Sequence, residues 1–169
     1  MTPQELVSML NRCFTAFDDI VRRHGIEKIK TIGDAYMAVA GLPTERTDHA
    51  DAAVSVALEF LSFVQAETSR AGLPFQIRIG IHSGPVVAGI VGHQKFAYDI
   101  WGDTVNIASR MESSGIAGGV NLSGASFEKL TTQLPYTYRG KIQAKNKGEL
   151  DMYLLGPKEI LSRHNTGAL

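Results

Sequence analysis

The sequence has little cysteine, no long apolar run and no excess charge of either sign, and each absence excludes a class of protein. Its 169 residues contain one cysteine, Cys13, so no internal disulfide and no cysteine-based metal site can form. The apolar runs are far shorter than the roughly 18 residues that a membrane span needs. Seventeen basic residues balance seventeen acidic ones, so no overall field favours nucleic acid or an anionic membrane. Met1–Leu10 has no basic start of a signal peptide. We expect a cytoplasmic location without membrane contact by this segment, the alternative being the cytosolic part of a larger or membrane-attached protein.

Helices and paired strands alternate along the predicted elements. The segment Thr2–Glu5 forms a helix start with a capping box, and apolar residues then recur at three- and four-residue steps up to Gly25. A tight turn at Gly33-Asp34 predicts a hairpin between Ile26–Thr31 and Ala35–Ala40. The other predicted elements are a helix from Asp48, a hairpin between Gln76–His82 and Val86–Val91, a helix from Asp103 or Thr104 to about Ser113, a strand at Val120–Leu122, a short helix at Ala125–Leu130, and a strand pair at Tyr136–Gln143 and Leu150–Leu155.

This order predicts one α+β domain over residues 1–157, followed by a frayed tail over residues 158–169. The predicted architecture is an antiparallel-rich, ferredoxin-like sheet with helices packed on it. A chain of this length buries one sizeable core and is too short for two.

Two segments carry the residue types that chemistry requires. Ile29–Met37 places the carboxylate of Asp34 at a hairpin tip, beside a glycine that lets a ligand approach the backbone. Tyr98–Met111 joins the end of a strand to a helix on which Asn106 and Arg110 are four residues apart and share a face. Both segments are therefore candidates for a functional site.

These two segments resemble the signature motifs of the class III adenylate and guanylate cyclase catalytic domain. Leu10-Asn11 with Phe14 and Phe17, Ile79–Gly84, and Arg139-Gly140 followed by Lys145 match the same family in the same order. The resemblance implies that ATP binds between two such domains, in a homodimer or in a heterodimer with another cyclase domain. It also implies that two Mg²⁺ or Mn²⁺ ions assist attack of the ribose 3′-hydroxyl on the α-phosphorus, which yields cyclic AMP and pyrophosphate.

The resemblance assigns roles in metal and purine binding to four residues. Asp34 matches one of the two metal-binding aspartates of the family, and Ile100 belongs to the substrate-binding set. Lys30 and Asp99 match the pair that reads the purine. A lysine donor and an aspartate acceptor complement adenine, which accepts at N1 and donates from its 6-amino group.

Three further residues match the part of the family's site that handles the ribose and the phosphates. Asn106 and Arg110 match the residues that orient the ribose and neutralise phosphate charge in the transition state. Lys145 matches a lysine that contacts the terminal phosphates, although Asn146 stands where the family often has glycine. Because Asn tolerates left-handed backbone conformations, we expect the loop to keep its shape.

One expected motif is missing. The family's other metal-binding aspartate lies in a Phe-x-Asp-Ile-x-Gly-Phe-like loop upstream, whereas Phe17–Ile20 falls inside a predicted helix. We expect either a fragment of a larger cyclase or a half-site that serves a partner, with weak or absent activity as a homodimer. The alternatives are a non-catalytic cyclase-homology module and a guanylate cyclase, and Lys30 disfavours the latter because guanylate cyclases typically carry Glu there.

Overall fold

The computed structural model describes residues 1–160, and the chain forms two compact units. The first unit comprises residues 1–76 and 90–99, and the second comprises residues 77–89 and those from 100 onward. Most of the predicted frayed tail, residues 161–169, lies outside the described residues. Among the residues described, no helix combines the length and the apolar character that crossing a bilayer requires.

The first unit contains two long helices and a hairpin. Its elements are α1 (Pro3–Arg23), β1 (Glu27–Ile32), β2 (Ala35–Val39) and α2 (His49–Ala71). The predicted capping box is confirmed, since the Glu5 backbone amide donates to the Thr2 hydroxyl and the Thr2 amide donates to the Glu5 carboxylate. Both helices end close to a glycine with positive φ, Gly25 after α1 and Gly72 after α2.

Aromatic rings hold the helices and the hairpin of this unit together. The rings of Phe17 on α1 and Phe60 on α2 stack at 3.8 Å, and Tyr36 of β2 meets both of them edge-on. Cys13 is 1% exposed, as expected for a small apolar core residue. Burying such rings and aliphatic groups contributes about 25 cal/mol for each Å² of apolar surface removed from water. The hairpin is thereby fixed against the two helices.

The second unit is a four-stranded sheet with a helix across it. Its elements are β3 (Ile79–Ile81), α3 (Asp103–Ser113), β6 (Val120–Ser123), α4 (Gly124–Phe127), β7 (Thr137–Ala144) and β8 (Gly148–Leu155). The strand order is β3-β6-β8-β7, in which β3 and β6 are parallel and the other pairs antiparallel. Ile107 and Met111 of α3 pack with Ala144 and Met152 in its core. The α+β class is confirmed.

The predicted hairpin between Gln76–His82 and Val86–Val91 is wrong. The first of these strands is short and pairs in parallel with β6, while β4 (Val87–Val91) pairs with β5 (Ala97–Trp101). The segment between β3 and β4 is not a hairpin turn, and the Thr104 hydroxyl holds it by donating to the Pro85 carbonyl at 2.6 Å. A local turn signal does not report such a long-range pairing, so the sequence pattern was misleading here.

Close contact between β3 and α3 requires Gly80. A Cβ at this position would collide with the backbone nitrogen of Glu112 and would lie 2.6 Å from the carbonyl oxygen of Ala108. We expect Gly80→Ala to lower the free energy of unfolding by about 1–3 kcal/mol, since neither backbone group can move aside freely. Chemical denaturation against Gly89→Ala, whose Cβ would meet its nearest atom at 3.7 Å, is the matched comparison. Equal stability of the two variants would contradict this packing.

Candidate functional site

The structure brings Lys30 and Asp99 together, although 69 residues separate them in the chain. The Lys30 ammonium donates to a carboxylate oxygen of Asp99 at 2.8 Å, with Lys30 on β1 and Asp99 on β5. The lysine side chain is 43% exposed and the aspartate side chain 15%. An ammonium has three N–H donors, so two of them stay available while one bonds to Asp99. The pair therefore offers a donor next to an acceptor group at a partly exposed position.

Asp34 lies exposed at the turn between β1 and β2. Gly33 before it adopts φ +58°, which a residue without a side chain reaches at little cost. Mg²⁺ and Mn²⁺ prefer several oxygen ligands, yet residues 1–160 contain no group of three or more acidic, histidine or cysteine side chains that could hold a metal. The described residues thus supply one candidate ligand, Asp34, and do not fit a complete two-ion site.

Helix α3 presents Asn106 and Arg110 on its exposed face. Gly102 with φ +132° leads into the helix, and the buried Ile107 and Met111 turn the opposite face towards the core of the second unit. Residues four apart lie one above the other on a helix, so the amide and the guanidinium point the same way. Asn106 and Arg110 are both exposed, which agrees with the prediction that they share one face of the helix.

The Arg110 guanidinium is tied to β7. One of its nitrogens donates to the carbonyl oxygen of Gln143 at 2.7 Å, two residues before Lys145. A guanidinium has five N–H donors in a fixed fork, so this bond orients the group and leaves further donors for an anion. Sequence reasoning missed Gln143, because a backbone carbonyl carries no signal in the residue type.

The turn between β7 and β8 is also tied to α3. Asn146 adopts φ +65°, as its tolerance of the left-handed region predicted. Lys147 lies 3.5 Å from the carboxylate of Asp103 in the first turn of α3, a contact that the sequence analysis did not predict. Lys145 is exposed in the same turn. Two lysines and an arginine therefore lie around this end of the second unit.

The positive charge of Lys147 in this turn acts on His82, which follows β3. Burial lowers the pKa of His82, and the positive charge of Lys147 lowers it further. The Nδ1 atom of the imidazole lies 2.6 Å from the Ser123 hydroxyl oxygen. A neutral imidazole follows at neutral pH, so His82 adds no charge of its own beside the turn.

Ile100 differs from the other candidates because its side chain is buried. It lies on β5, and the whole residue is 7% exposed, so its side chain is not accessible to a ligand in this structure. The first unit thus carries Lys30, Asp34 and Asp99, and the second carries Ile100, Asn106, Arg110 and Lys145.

Comparison with known proteins identifies close relatives of this chain. The family model described as adenylate and guanylate cyclase catalytic domain matches residues 1–157. The adenylate cyclase of Mycobacterium bovis is 43% identical over 157 residues, which cover 92% of this chain and 35% of that protein. Human guanylyl cyclase C is also 43% identical, over 165 residues that cover 94% of this chain and 15% of that protein. The chain therefore spans about a third or less of the length of these two relatives.

A solved structure shows the same fold. The catalytic core of a rhodopsin-guanylyl cyclase with converted specificity, in complex with ATPαS, superposes with a TM-score of 0.83 at 36% identity. The match covers 91% of this chain and 84% of that one. The relatives include both an adenylate and a guanylyl cyclase at equal identity, so overall similarity does not decide between the two purines.

Proposed function

Because the chain belongs to the adenylate and guanylate cyclase catalytic domain family, we propose that it converts ATP into 3′,5′-cyclic AMP and pyrophosphate. In this reaction a bond forms between the ribose 3′-oxygen and the α-phosphorus. The bond from the α-phosphorus to the oxygen bridging to the β-phosphorus breaks, and the hydroxyl proton is released. Negative charge grows on the attacking and leaving oxygens, so fixed cationic donors lower the barrier.

The contact between Lys30 and Asp99 carries the choice of ATP. The lysine donates to adenine N1, and the aspartate accepts from the 6-amino group. Guanine has a donor at N1 and an acceptor at its 6-oxo group. The Lys30 donor would then face the N1 donor, and the Asp99 acceptor would face the 6-oxo acceptor. Each unsatisfied buried polar group costs about 1–3 kcal/mol. Because the chain is equally similar to an adenylate cyclase and to a guanylyl cyclase, the proposal of ATP rests on this pair and not on overall similarity.

The residues of the second unit serve the ribose and the phosphates in this proposal. Asn106 orients the ribose, and Arg110, oriented by its bond to the Gln143 carbonyl, neutralises charge on the phosphates as the transition state forms. Lys145 binds the terminal phosphates from the neighbouring turn. Ile100, which follows Asp99 in the sequence, is assigned to substrate binding by the family resemblance alone.

A second cyclase domain completes the site in this proposal. Asp34 is the one residue that this proposal assigns to metal binding, and the described residues hold no group of three or more possible ligands. The remaining carboxylates for Mg²⁺ or Mn²⁺ are therefore proposed to come from the second domain. We expect a homodimer or a heterodimer with another cyclase domain, in which this chain supplies the purine-reading and arginine side. The chain alone, or as a homodimer of residues 1–169, is then weakly active or inactive.

Competition binding tests the choice of purine without requiring turnover. A fluorescent ribose-labelled ATP bound to the purified chain is displaced by unlabelled ATP or GTP. We expect ATP to compete at a concentration at least about fivefold lower than GTP, which is the smallest effect of one mismatched contact. Equal competition, or stronger competition by GTP, would refute the assignment of ATP.

A further inference from the structure

Strand β1 contains a bulge immediately before Lys30. Glu27 of β1 pairs with Val39 of β2, and Lys28 pairs with Ala38. The next pair is Lys30 with Met37. Ile29 has no paired residue on β2 in this register. Between these two pairs β1 therefore advances by two residues while β2 advances by one, which is a β-bulge. A regular strand would place Lys28 and Lys30 on the same face, because side chains alternate with a period of two.

The bulge places the two lysines on opposite faces of the hairpin. Side chains of directly paired residues share a face, whereas neighbours along a strand point to opposite faces. Lys28 is paired with Ala38 and Lys30 with Met37, and these two partners are neighbours on β2. The contacts agree, because Lys28 bonds to α1 while Lys30 bonds to β5. Without the bulge, Lys30 would be on the face covered by α1 and α2.

A polar group on the helix-covered face holds Lys28 in this register. The ammonium of Lys28 lies 2.9 and 3.1 Å from the two carboxylate oxygens of Asp18, and the Tyr36 hydroxyl donates to the same carboxylate at 2.8 Å. Asp18, Lys28 and Tyr36 are called the Asp18 cluster below. The lysine nitrogen also lies 5.3 Å from the centre of the Tyr36 ring. Sliding β1 by one residue to remove the bulge would turn Lys28 away and break the contacts between its ammonium and the Asp18 carboxylate.

The protonation states suit these bonds. Burial opposes ionisation of Asp18, but hydrogen bonds from Lys28 and Tyr36 outweigh it and lower the pKa of the carboxyl. Burial raises the pKa of the Tyr36 hydroxyl, and the bond to Asp18 raises it further. At neutral pH the carboxylate is therefore ionised and the phenol protonated, so both hydrogen bonds persist. The ring of Tyr36 is in turn fixed by Phe14, Phe17 and Phe60 at 5.5 to 5.7 Å.

We infer that Asp18 is a positioning residue for purine selectivity: it holds the bulged register of β1 through Lys28 and Tyr36 and thereby aims Lys30 at Asp99. Asp18 touches no substrate in this account and acts through the strand. The inference rests on the proposed role of Lys30 in reading adenine. It adds that the discrimination between purines depends on a cluster on the opposite face of the hairpin.

The test compares Asp18→Asn with Asp19→Asn in the same competition assay. Asp19 is the next residue of α1 and forms an ion pair with Arg22 of the same helix, so it controls for loss of one helical charge. We expect Asp18→Asn to reduce the preference for ATP over GTP by about three- to tenfold, the equivalent of one typical hydrogen bond. Asp19→Asn is expected to keep the preference of the parent chain.

The ratio of the two affinities separates positioning from folding. A variant that is merely less folded loses affinity for ATP and GTP by the same factor, so its ratio is unchanged. Tyr36→Phe is the second variant, because it removes one hydroxyl and keeps the ring packing, and it decides the matter if Asp18→Asn does not melt cooperatively. We expect a reduced ratio in Tyr36→Phe as well.

The outcomes distinguish this inference from the proposed function. If Lys30→Glu abolishes the preference while Asp18→Asn and Tyr36→Phe both keep it, the inference is wrong and the proposed function stands. If the parent chain shows no preference for ATP, both are wrong. A reduced ratio in either cluster variant, with Asp19→Asn unchanged, supports the inference.

Discussion

Exchanging Lys30 for Glu together with Asp99 for Ser is expected to turn a preference for ATP into a preference for GTP. The glutamate would accept from guanine N1, and the serine hydroxyl would donate to the 6-oxo group. Two contacts of about 1–3 kcal/mol each change sign, so the ratio of the affinities is expected to shift by about 100-fold or more. Competition between ATP and GTP for the labelled nucleotide measures this ratio directly.

A matched control for this exchange lies in the second unit. Lys141 and Asp151 form another lysine–aspartate contact, at 2.7 Å, between β7 and β8. Lys141→Glu with Asp151→Ser makes the same change of charge away from the proposed purine site, and we expect it to leave the ratio unchanged. An unaltered preference for ATP in the Lys30 and Asp99 double variant would refute the purine assignment. Equal shifts in both double variants would point to a general effect of charge.

Arg110→Ala is expected to abolish catalysis while ATP remains bound. The guanidinium is proposed to act on charge that develops in the transition state, and removing such a donor typically costs about 10²–10³ in rate. Lysine at this position keeps the charge but lacks the fork, so Arg110→Lys is expected to recover only a small part of the rate. The rate of cyclic AMP formation is measured with a partner cyclase domain that supplies the metal carboxylates, and ATP affinity is measured by competition.

Arg78→Ala provides the comparison for Arg110→Ala. Arg78 is an exposed arginine outside α3 whose guanidinium pairs with Glu112 of that helix at 3.0 Å, so its removal also takes away one guanidinium that contacts α3. We expect its rate to stay within about twofold of the parent chain, since exposed ion pairs contribute about 0–1 kcal/mol. A rate for Arg110→Ala as high as that of Arg78→Ala would exclude a role for Arg110 in the transition state.

Local signals in the sequence predicted the elements that carry these residues. The capping box at Thr2 and the turn at Gly33-Asp34 depend on contacts between residues close in the chain, and both occur where expected. The short β3 was misread as half of a hairpin because its partner Val120–Leu122 lies about 40 residues away. Pairings of that kind are decided by packing, which a local pattern does not report.

The arrangement of the site was predictable only in part. The resemblance singled out Lys30 and Asp99, and the structure shows them in contact. It did not reveal the bulge at Ile29, since a strand register is decided by pairing and packing with other elements and not by the local residue pattern. Residue types alone would place Lys28 and Lys30 on one face. The bond from Arg110 to a backbone carbonyl was equally invisible.

The most direct test of the central claim is cyclic AMP production from ATP with Mn²⁺, by the chain alone and mixed with a cyclase domain mutated at its own counterpart of Arg110. We predict little or no product from either protein alone and clear production from the mixture, because this chain then supplies the purine-reading and arginine side. Silence of the mixture, with both proteins melting cooperatively and the partner active when unmutated, would contradict the claim and favour a non-catalytic binding module.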